Sequence, residues 1–315
     1  GKPFRGGFDM ITGDVTLNGI RQVPAEIRDR ILEIGDAFDD TLVDDMERLY
    51  SPLLEGRGRR EVSVKKDISY GSHGRQVLDV HTATKGGDGL TSVLFFHGGG
   101  FVRGHKNVAG DLLYGNVATY FARHGMIGVN ATYRLAPDHP WPAGADDVGA
   151  ALGWARDNIS DFGGDPDKII VMGQSAGATH VATYAFRSDI HGAEGPGCAG
   201  IILMSGIYHP VDGPMAPNYV AYYGERVADY AGKMVQGNMD WAGCPVFISI
   251  AEFDPPRFQL SGISLMNELA SGHGNIPRIK VLLSHNHISQ VMHIDTDDET
   301  FGAEAVDFIR TCVER

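Results

Sequence analysis

A serine stands between two glycines in the run GQSAG at residues 173–177, directly after the apolar residues 169–172. A stretch with good helix-forming residues follows, so the pattern predicts a serine on a sharp turn from a strand into a helix. The flanking glycines fit such a turn, because neighbouring backbone approaches where a Cβ would clash. Glycine and serine also fill ordinary turns. A second run, HGGGF at residues 97–101, follows the apolar residues 93–96, and the two runs together indicate one chemistry.

Short β-rich runs alternate with helical segments over most of the chain. The strand runs are 61–67, 75–83, 91–96, 127–133, 168–172, 200–205, 245–251 and 278–283, and helical periodicity covers 110–123, 143–158, 176–186, 259–270 and 300–313. This alternation predicts a mostly parallel sheet of eight strands flanked by helices, and the nearly all-apolar central runs fit burial on both faces. The first two runs mix polar and apolar residues around a turn at 71–74, which predicts an antiparallel hairpin at the sheet edge.

Two regions fall outside this alternation and are assigned to a helical cap. Residues 1–55 form an N-terminal cap segment, with a helix expected from near Pro24 through Leu42. Residues 56–315 form the main α/β domain, and residues 207–242, rich in tyrosine, methionine, glycine and asparagine, are a cap insertion within it. The sequence leaves open whether this insertion contacts substrate or only packs on the surface.

Composition narrows the class of partner. With 43% hydrophobic and 21% charged residues, the 315-residue chain is expected to be globular. Its net charge of −13, with no basic cluster longer than residues 57–60, excludes nucleic acid and anionic membranes as expected partners. No stretch approaches the roughly 20 apolar residues of a membrane span, and we expect no membrane insertion and a cytoplasmic location. The three cysteines are far apart in sequence and suggest neither disulfides nor a thiolate metal site.

A reactive serine needs further groups, and the chain offers candidates for each. Acyl transfer requires a base, an acid that orients the base, and donors for the developing oxyanion. In sheet-based hydrolases the order is serine, acid, histidine, each after a strand at the same sheet edge. Asp254 follows the run 245–251 and is preferred to Glu252, since Pro255 stiffens the loop after it. Either His285 or His287, after the last strand, is then the base.

The sequence resembles the hormone-sensitive-lipase-like (bacterial family IV) branch of the α/β-hydrolase carboxylesterases. The resemblance covers most of residues 61–315. It is carried by HGGGF at 97–101, NATYRLAP at 130–137, PWPA at 140–143, the pair Asp146-Asp147, the serine turn and the Asp254-Pro255 step. It implies an α/β-hydrolase fold with a helical cap.

The same resemblance assigns roles to individual residues. It implies Ser175 as nucleophile, Asp254 as acid and His287 as base, because His287 is followed by the small or apolar pair Ile288-Ser289. It also implies an oxyanion hole made by the backbone N–H groups of Gly99, Gly100 and Ala176. No cofactor and no metal are implied.

Two positions depart from the family pattern. Gln174 stands where the family usually has aspartate, and residues 256–259 read PRFQ where it usually has leucine followed shortly by an acidic pair. Neither change removes a member of the triad. Both alter the surroundings of the base, so they bear on the geometry around it and on the pH optimum rather than on the reaction class.

Each assignment has a structural alternative. Ser175 could be a plain turn serine, and Asp254 a helix N-cap. His285, His287 and His293 could form a metal site, but no carboxylate or cysteine at matching spacing supports it. His97 is expected to hold the glycine loop. Asp146 and Asp147 are expected to be structural, since carboxylates favour a helix start.

The predicted function is a serine carboxylesterase that hydrolyses short- to medium-acyl esters of small molecules through an acyl-enzyme intermediate. An amidase, formamidase or lactonase would use the same triad. A non-catalytic ligand receptor is the more distant alternative, because some plant hormone receptors of this family have lost the histidine. A homodimer formed through an edge strand stays open as an expectation.

Overall fold

The computed structural model describes residues 23–57, 60–209 and 216–314, and one eight-stranded sheet organises them. Its strands are β1 (Val62–Ser69), β2 (Val77–Ala83), β3 (Leu90–Phe96), β4 (Ile127–Ala131), β5 (Gly164–Gln174), β6 (Gly200–Met204), β7 (Val246–Phe253) and β8 (Arg278–Asn286). The spatial order is β1-β2-β4-β3-β5-β6-β7-β8. Strand β2 pairs antiparallel with both neighbours, and the remaining pairs are parallel. The predicted sheet, including its edge hairpin, is confirmed.

Two strands extend beyond their predicted bounds because their neighbours offer backbone partners. Strand β5 begins at Gly164, where it pairs with Leu90 of β3. Strand β8 runs on to Asn286, which pairs with Phe253 of β7 beyond an irregularity in the ladder. The second extension matters for function, because it fixes the backbone immediately before His287.

Eleven α-helices are present in the described part of the chain. They are α1 (Ala25–Ile34), α2 (Asp40–Arg57), α3 (Gly115–Arg123), α4 (Ala143–Asn158), α5 (Ala176–Phe186), α6 (Ser188–His191), α7 (Pro217–Tyr223), α8 (Tyr230–Lys233), α9 (Pro256–His273), α10 (Ser289–Met292) and α11 (Gly302–Val313). Short 3₁₀ turns cover 159–162 and 227–229. The five helices predicted between the strands are all found, although α3 begins later than expected.

The single helix expected from Pro24 through Leu42 is wrong. Helix α1 ends at Ile34, since Gly35 has φ +63° and leaves the helical path. Helix α2 then starts afresh, because the Asp39 carboxylate accepts hydrogen bonds from the backbone N–H groups of Thr41 (3.0 Å) and Leu42 (3.2 Å). The apolar spacing is therefore shared by two helices joined by a short connection.

Two apolar layers cover the sheet. On one face, α4, α5 and α9 contribute residues such as Val148, Val181 and Leu265. On the other face, α1, α2, α3 and α11 pack over β3, β5 and β7. Residues 25–57 are thus part of a layer on the sheet itself. Residues 1–22 of the predicted N-terminal cap segment lie outside the described residues.

A third, smaller cluster lies over the carboxyl ends of the strands. It joins Phe101 and Ala176 to Tyr222, Tyr223 and Tyr230 of the predicted cap insertion. The ring of Tyr222 stacks on Phe101 with centroids 4.4 Å apart. Residues 210–215 of this insertion lie outside the described residues. Helices α7 and α8 therefore cover the edge of the sheet at which HGGGF and the serine turn end.

Candidate active site

The strand-to-helix turn holds Ser175 in a backbone conformation that few side chains adopt. Ser175 has φ 55° and ψ −122°, between the last residue of β5 and the first of α5. A Cβ on Gly173 would strike the backbone of Gly177, and a Cβ on Gly177 would strike the backbone of Phe96. Both glycines are required for this reason, and the predicted turn is observed. The serine side chain is consequently aimed away from the sheet.

Three side chains from three separate loops form a continuous hydrogen-bonded relay. His287 Nε2 lies 2.8 Å from Ser175 Oγ, and His287 Nδ1 lies 2.6 Å from Asp254 Oδ1. The loops follow β5, β7 and β8, which end at the same edge of the sheet. A carboxylate only accepts, so Nδ1 carries the proton and Nε2 is left to accept from the serine hydroxyl. The arrangement can remove a proton from Ser175.

Asp254 is fixed by donors to its other oxygen. The Ser205 hydroxyl donates to Asp254 Oδ2 at 2.5 Å, and the Ala251 N–H donates to the same oxygen at 2.7 Å. The Gln290 amide donates to Ser205 Oγ (2.8 Å) and to the His287 carbonyl (3.0 Å). These contacts tie the acid and the base to one buried network. Sequence reasoning missed both Ser205 and Gln290, although the position of Ser205 just after β6 was a usable signal.

Aromatic rings enclose the imidazole of His287. The Phe258 ring lies 4.1 Å from it between centroids, and the Phe38 ring meets it edge-on at 4.9 Å. The Arg257 guanidinium lies over both phenyl rings, at 4.9 and 5.4 Å. Phe38 comes from the connection between α1 and α2, so the N-terminal segment reaches the candidate base. The PRFQ sequence thus supplies apolar cover in place of the usual acidic pair.

The three glycines at 98–100 lie too close to neighbouring residues to be replaced by residues with a Cβ. Gly99 has φ 133°, and a Cβ there would collide with the carbonyl of Arg103. A Cβ on Gly98 would meet the Gln174 side chain and, at 3.1 Å, Ser175 Cβ. Close approach of this loop to the serine turn therefore depends on glycine.

This close approach leaves backbone donors beside Ser175. Within residues 23–57, 60–209 and 216–314, the N–H groups of Gly99, Gly100 and Ala176 donate to no backbone carbonyl. The Asn218 amide of α7 donates to the Gly100 carbonyl at 3.1 Å, which joins the covering segment to the glycine loop. Unpaired N–H groups near a reactive hydroxyl are suited to an oxyanion. Their assignment as an oxyanion hole stays a prediction.

Gln174 contacts the loop that carries His287, and His97 contacts the glycine loop. The Gln174 amide donates to the His287 carbonyl at 3.0 Å, a contact that an aspartate could not make. His97 Nδ1 lies 2.6 Å from the Gly98 carbonyl, and its ring stacks on Tyr133 at 4.5 Å. Burial lowers the pKa of His97 to about 3. His97 is therefore neutral and suited to holding the loop, as expected for a structural residue.

The other candidate residues lie outside the relay. His285 Nδ1 lies 3.0 Å from Ser289 Oγ, and its Nε2 lies 3.2 Å from Asp298, so it faces away from Ser175. Asp147 binds Arg134 through an ion pair of 2.7 Å and accepts from Gln76 at 2.8 Å. His285 and Asp147 therefore make structural contacts, while Asp146 is exposed on the first turn of α4.

One cluster outside the relay has the residue types of a metal site. His285, His293 and Asp298 place one ligand atom each within 4.8 Å of the others. The metal site considered from sequence grouped His285 and His293 with His287. In the structure the third member of this group is Asp298, while His287 contacts Ser175 and Asp254. Burial raises the pKa of Asp298, but the nearby imidazoles of His285 and His293 outweigh it and hold this pKa at about 2. Burial also lowers the pKa of His293 to about 3.

The sequence is similar to a known protein family and to characterised esterases. A family model described as alpha/beta hydrolase fold matches residues 93–270. The carboxylesterase NlhH of Mycobacterium tuberculosis (strain H37Rv) is 32% identical over 223 residues, which cover 60% of this chain and 67% of that protein. The esterase LipI of the same organism is 41% identical over 96 residues, covering 30% of this chain and 29% of its own length.

Solved structures show the same fold at lower identity. A bacterial heroin esterase superposes with a TM-score of 0.66 at 22% identity, covering 93% of this chain and 98% of that one. The carboxylesterase EstE1, cloned from a metagenomic library, gives 0.63 at 22% identity and covers 89% and 99%. The whole described sheet and its helices therefore follow a known architecture.

Proposed function

Because the chain belongs to the hormone-sensitive-lipase-like branch of the α/β-hydrolase family and is a carboxylic ester hydrolase, we propose that Ser175, His287 and Asp254 are its catalytic triad. The observation that carries this proposal is the relay of 2.8 and 2.6 Å across three loops. His287 takes the proton of Ser175, and Asp254 holds the imidazole in the required tautomer and stabilises its positive charge.

The reaction proceeds in two halves. Ser175 Oγ attacks the ester carbonyl carbon, and the carbonyl oxygen becomes an anion facing the N–H groups of Gly99, Gly100 and Ala176. Collapse of this intermediate breaks the bond to the alkoxy oxygen, which leaves as an alcohol after His287 returns the proton. Water, deprotonated by His287, then attacks the acyl-serine, releasing the carboxylic acid and regenerating Ser175.

The substrate is a small-molecule ester with a short or medium acyl chain. The support is the aromatic surroundings of the site: Phe38 and Phe258 contact His287, and Phe101 and Tyr222 stack within the cluster that includes Ala176, next to Ser175 in sequence. In this proposal residues 207–242 are the cap insertion of the catalytic domain 56–315. The N-terminal segment 1–55 contributes to the cap through Phe38, which contacts His287, while helices α1 and α2 pack on one face of the sheet. The contact of Asn218 with Gly100 ties this cap to the oxyanion loop.

Hydrolysis of p-nitrophenyl esters of increasing acyl length tests the proposal directly. We expect the highest kcat/KM among short or medium chains, and little turnover of matched anilides. Ser175→Ala should lower kcat by roughly 10⁴- to 10⁶-fold, since it removes the nucleophile. Ser72→Ala, at an exposed serine of the edge hairpin, should leave kcat unchanged.

Covalent labelling separates an enzyme from a binding protein. A fluorophosphonate should modify one serine, in the peptide that contains Ser175, and Ser175→Ala should abolish labelling. Wild-type turnover by folded Ser175→Ala protein would refute the assignment. Faster hydrolysis of anilides than of esters would instead move the enzyme to the amidase class.

The support for a homodimer is an apolar edge strand. Strand β8 ends the sheet, and Ile279, Val281 and Leu283, which alternate along it, are 46%, 46% and 64% exposed. Antiparallel pairing of two β8 strands would bury these side chains and satisfy the free backbone groups of the edge. The partner proposed for this surface is therefore a second copy of the chain.

A further inference from the structure

A buried cluster of two histidines and one aspartate lies behind the loop that carries His287. The side chains of His285 and Asp298 are 0% and 1% exposed, and His293 is fully buried. Their potential ligand atoms lie within 4.8 Å of one another. None of the three belongs to the relay of Ser175, so the proposed hydrolysis leaves this cluster unexplained.

Both imidazoles are oriented by the same residue. Ser289 Oγ lies 3.0 Å from His285 Nδ1, and the Ser289 carbonyl lies 3.0 Å from His293 Nδ1. A carbonyl only accepts, so His293 carries its proton on Nδ1 and leaves Nε2 with a lone pair. Histidine ligands of metals are held by this kind of contact, in which the outer nitrogen donates to a carbonyl or carboxylate.

The aspartate is oriented in the same manner. Asp298 Oδ1 accepts from the N–H of Thr300 (3.0 Å) and from its hydroxyl (2.5 Å). This pairing leaves Oδ2 directed at His285 Nε2, 3.2 Å away. The two atoms lack the alignment of a hydrogen bond, and neither has another hydrogen-bond partner among the described residues. Buried polar atoms of this kind are usually satisfied, so this pair calls for a further ligand.

We propose that His285, His293 and Asp298 bind one divalent transition-metal ion of the Zn²⁺ or Co²⁺ class. Two imidazole nitrogens and one carboxylate oxygen are a common donor set for such ions. The contributing atoms are Nε2 of both histidines and Oδ2 of Asp298. The ion would replace the long contact of 3.3 Å between His293 Nε2 and the N–H of Phe301.

Coordination requires a modest contraction of the cluster. Metal bonds of roughly 2.0–2.1 Å in a tetrahedron separate the ligand atoms by about 3.3 Å, against the present spread of up to 4.8 Å. A cavity of about 450 Å³, lined by Asp298 together with Thr296, Asp297 and Arg57, offers a path for the ion and room for a water as fourth ligand.

The site is separate from the chemistry at Ser175 but shares its loop. His285 precedes His287 by two residues, and Ser289, which anchors both imidazoles, follows it by two. A bound ion would clamp residues 285–298 and so stabilise the backbone on which the base sits. Its expected effect is on stability, and no step of ester hydrolysis passes through it.

Binding to the whole chain tests the site. Protein stripped with a chelator is titrated with Co²⁺ and followed by visible absorption, with Zn²⁺ added afterwards as competitor. We expect saturation at one ion per chain, displacement by Zn²⁺, and a rise in the melting temperature. Asp298→Asn should weaken Co²⁺ binding by roughly 10- to 100-fold or more. Asp307→Asn, which changes an exposed carboxylate of α11 that pairs with Arg278, should bind as the wild type does.

Two results would overturn the site: wild-type protein that binds far less than one ion per chain, or Asp298→Asn protein that binds as tightly as Asp307→Asn. Folding of each variant is checked by near-ultraviolet circular dichroism. Should Asp298→Asn fail to fold, His293→Gln provides the second test, with the same loss of binding expected and unchanged binding counting against the site.

Discussion

Ser205 controls the orientation of the candidate acid from an unusual backbone position. It has φ 48°, and its hydroxyl donates to the oxygen of Asp254 that His287 does not use. The Ser205 N–H is paired with the Ser249 carbonyl at 3.0 Å, so neighbouring β7 fixes its backbone. A carboxylate held at both oxygens cannot rotate away from the imidazole. Ser205 is thus a positioning residue for the proposed reaction.

Ser205→Ala should lower kcat about 10-fold with little change in KM, because a hydrogen bond to a charged group typically contributes about 1.5–3 kcal/mol. Steady-state kinetics on a p-nitrophenyl ester measures both constants. Ser249→Ala is the matched control. The Ser249 side chain is also buried on an adjacent strand, but its hydroxyl has no hydrogen-bond partner in the described regions, so its kcat should not change. Equal kcat values in the two variants would contradict the role of Ser205.

The role of a single residue could be predicted where a sequence motif marks it. It could not be predicted where the role depends on a contact with a residue distant in sequence. Strand order predicted Ser175 and Asp254 and left His285 and His287 as candidates for the base, and the resemblance to the family favoured His287. The structure places Ser175, Asp254 and His287 in hydrogen-bond contact. Ser205 follows β6 but belongs to no motif, and its partner Asp254 lies 49 residues further along the chain. The contact of Asp298 with His285 likewise joins the end of β8 to the segment before α11 and has no sequence motif. A contact between two cysteines was also not predicted from the sequence. They looked unrelated, yet Cys198 lies against Cys244 and, together with burial, raises the pKa of the Cys244 thiol.

At the scale of elements, helix α4 offers two glycines in opposite surroundings. A Cβ on Gly153 would meet nothing within 4 Å, whereas one on Gly149 would lie 2.6 Å from the ring of Tyr184 in α5. Gly153 therefore has no packing function, and Gly149 allows α4 and α5 to approach closely. Replacing each of these two glycines by alanine should therefore distinguish the effect of backbone entropy on stability from the effect of packing.

Gly153→Ala should raise the free energy of unfolding by about 0.5–1 kcal/mol, because alanine is the better helix former. Gly149→Ala should lower it by about 1–3 kcal/mol through overpacking. Urea denaturation followed by circular dichroism measures both. An increase in both variants would show that helix propensity alone governs α4.

Strands and core helices were predictable because their apolar periodicity is local. The break between α1 and α2 was not, since Ile27, Ile31 and Leu42 keep helical spacing across it. Only the φ of Gly35 and the capping bonds of Asp39 reveal two helices. This break has a function in the proposal, because it sends Phe38 onto the ring of His287.

On the scale of the whole molecule, buried histidines make stability depend on pH. Burial lowers the pKa of His97 and of His180 to about 3, whereas unfolded histidine titrates near 6.5. A depressed pKa means that the unfolded chain binds more protons, so stability is fully present above about pH 6.5 and is lost as the pH falls towards 3. At pH 5 each histidine should reduce the free energy of unfolding by up to about 2 kcal/mol.

Urea denaturation at several pH values between 8 and 5 measures this loss. His180→Asn keeps a neutral polar group near Tyr222 and should flatten the pH dependence, whatever it costs at pH 8. His273→Asn, at an exposed position in the last turn of α9, controls for removal of a histidine. An unchanged slope in His180→Asn would exclude His180 as a source of the acid sensitivity.

The proposed association through β8 concerns the whole molecule. Size-exclusion chromatography with light scattering should give twice the 34.0 kDa mass of one chain. Val281→Lys places a charge in the proposed contact and should yield monomers. Val227→Lys makes the same change at a valine that is 53% exposed on the cap segment and should stay dimeric. A monomeric wild type would refute the association.

The aromatic cover over the relay is assembled from three separate stretches of chain, and this makes the enzyme easy to redesign. Phe38 comes from the α1–α2 connection, Tyr219 from α7 and Arg257 from α9, and Arg257 lies over Phe38 while Tyr219 meets Phe101. None of the three sits in the sheet or at a position reserved for glycine. A combinatorial library at these positions, with Gly99, Gly173 and Gly177 left untouched, should shift the range of accepted acids and alcohols while the scaffold survives.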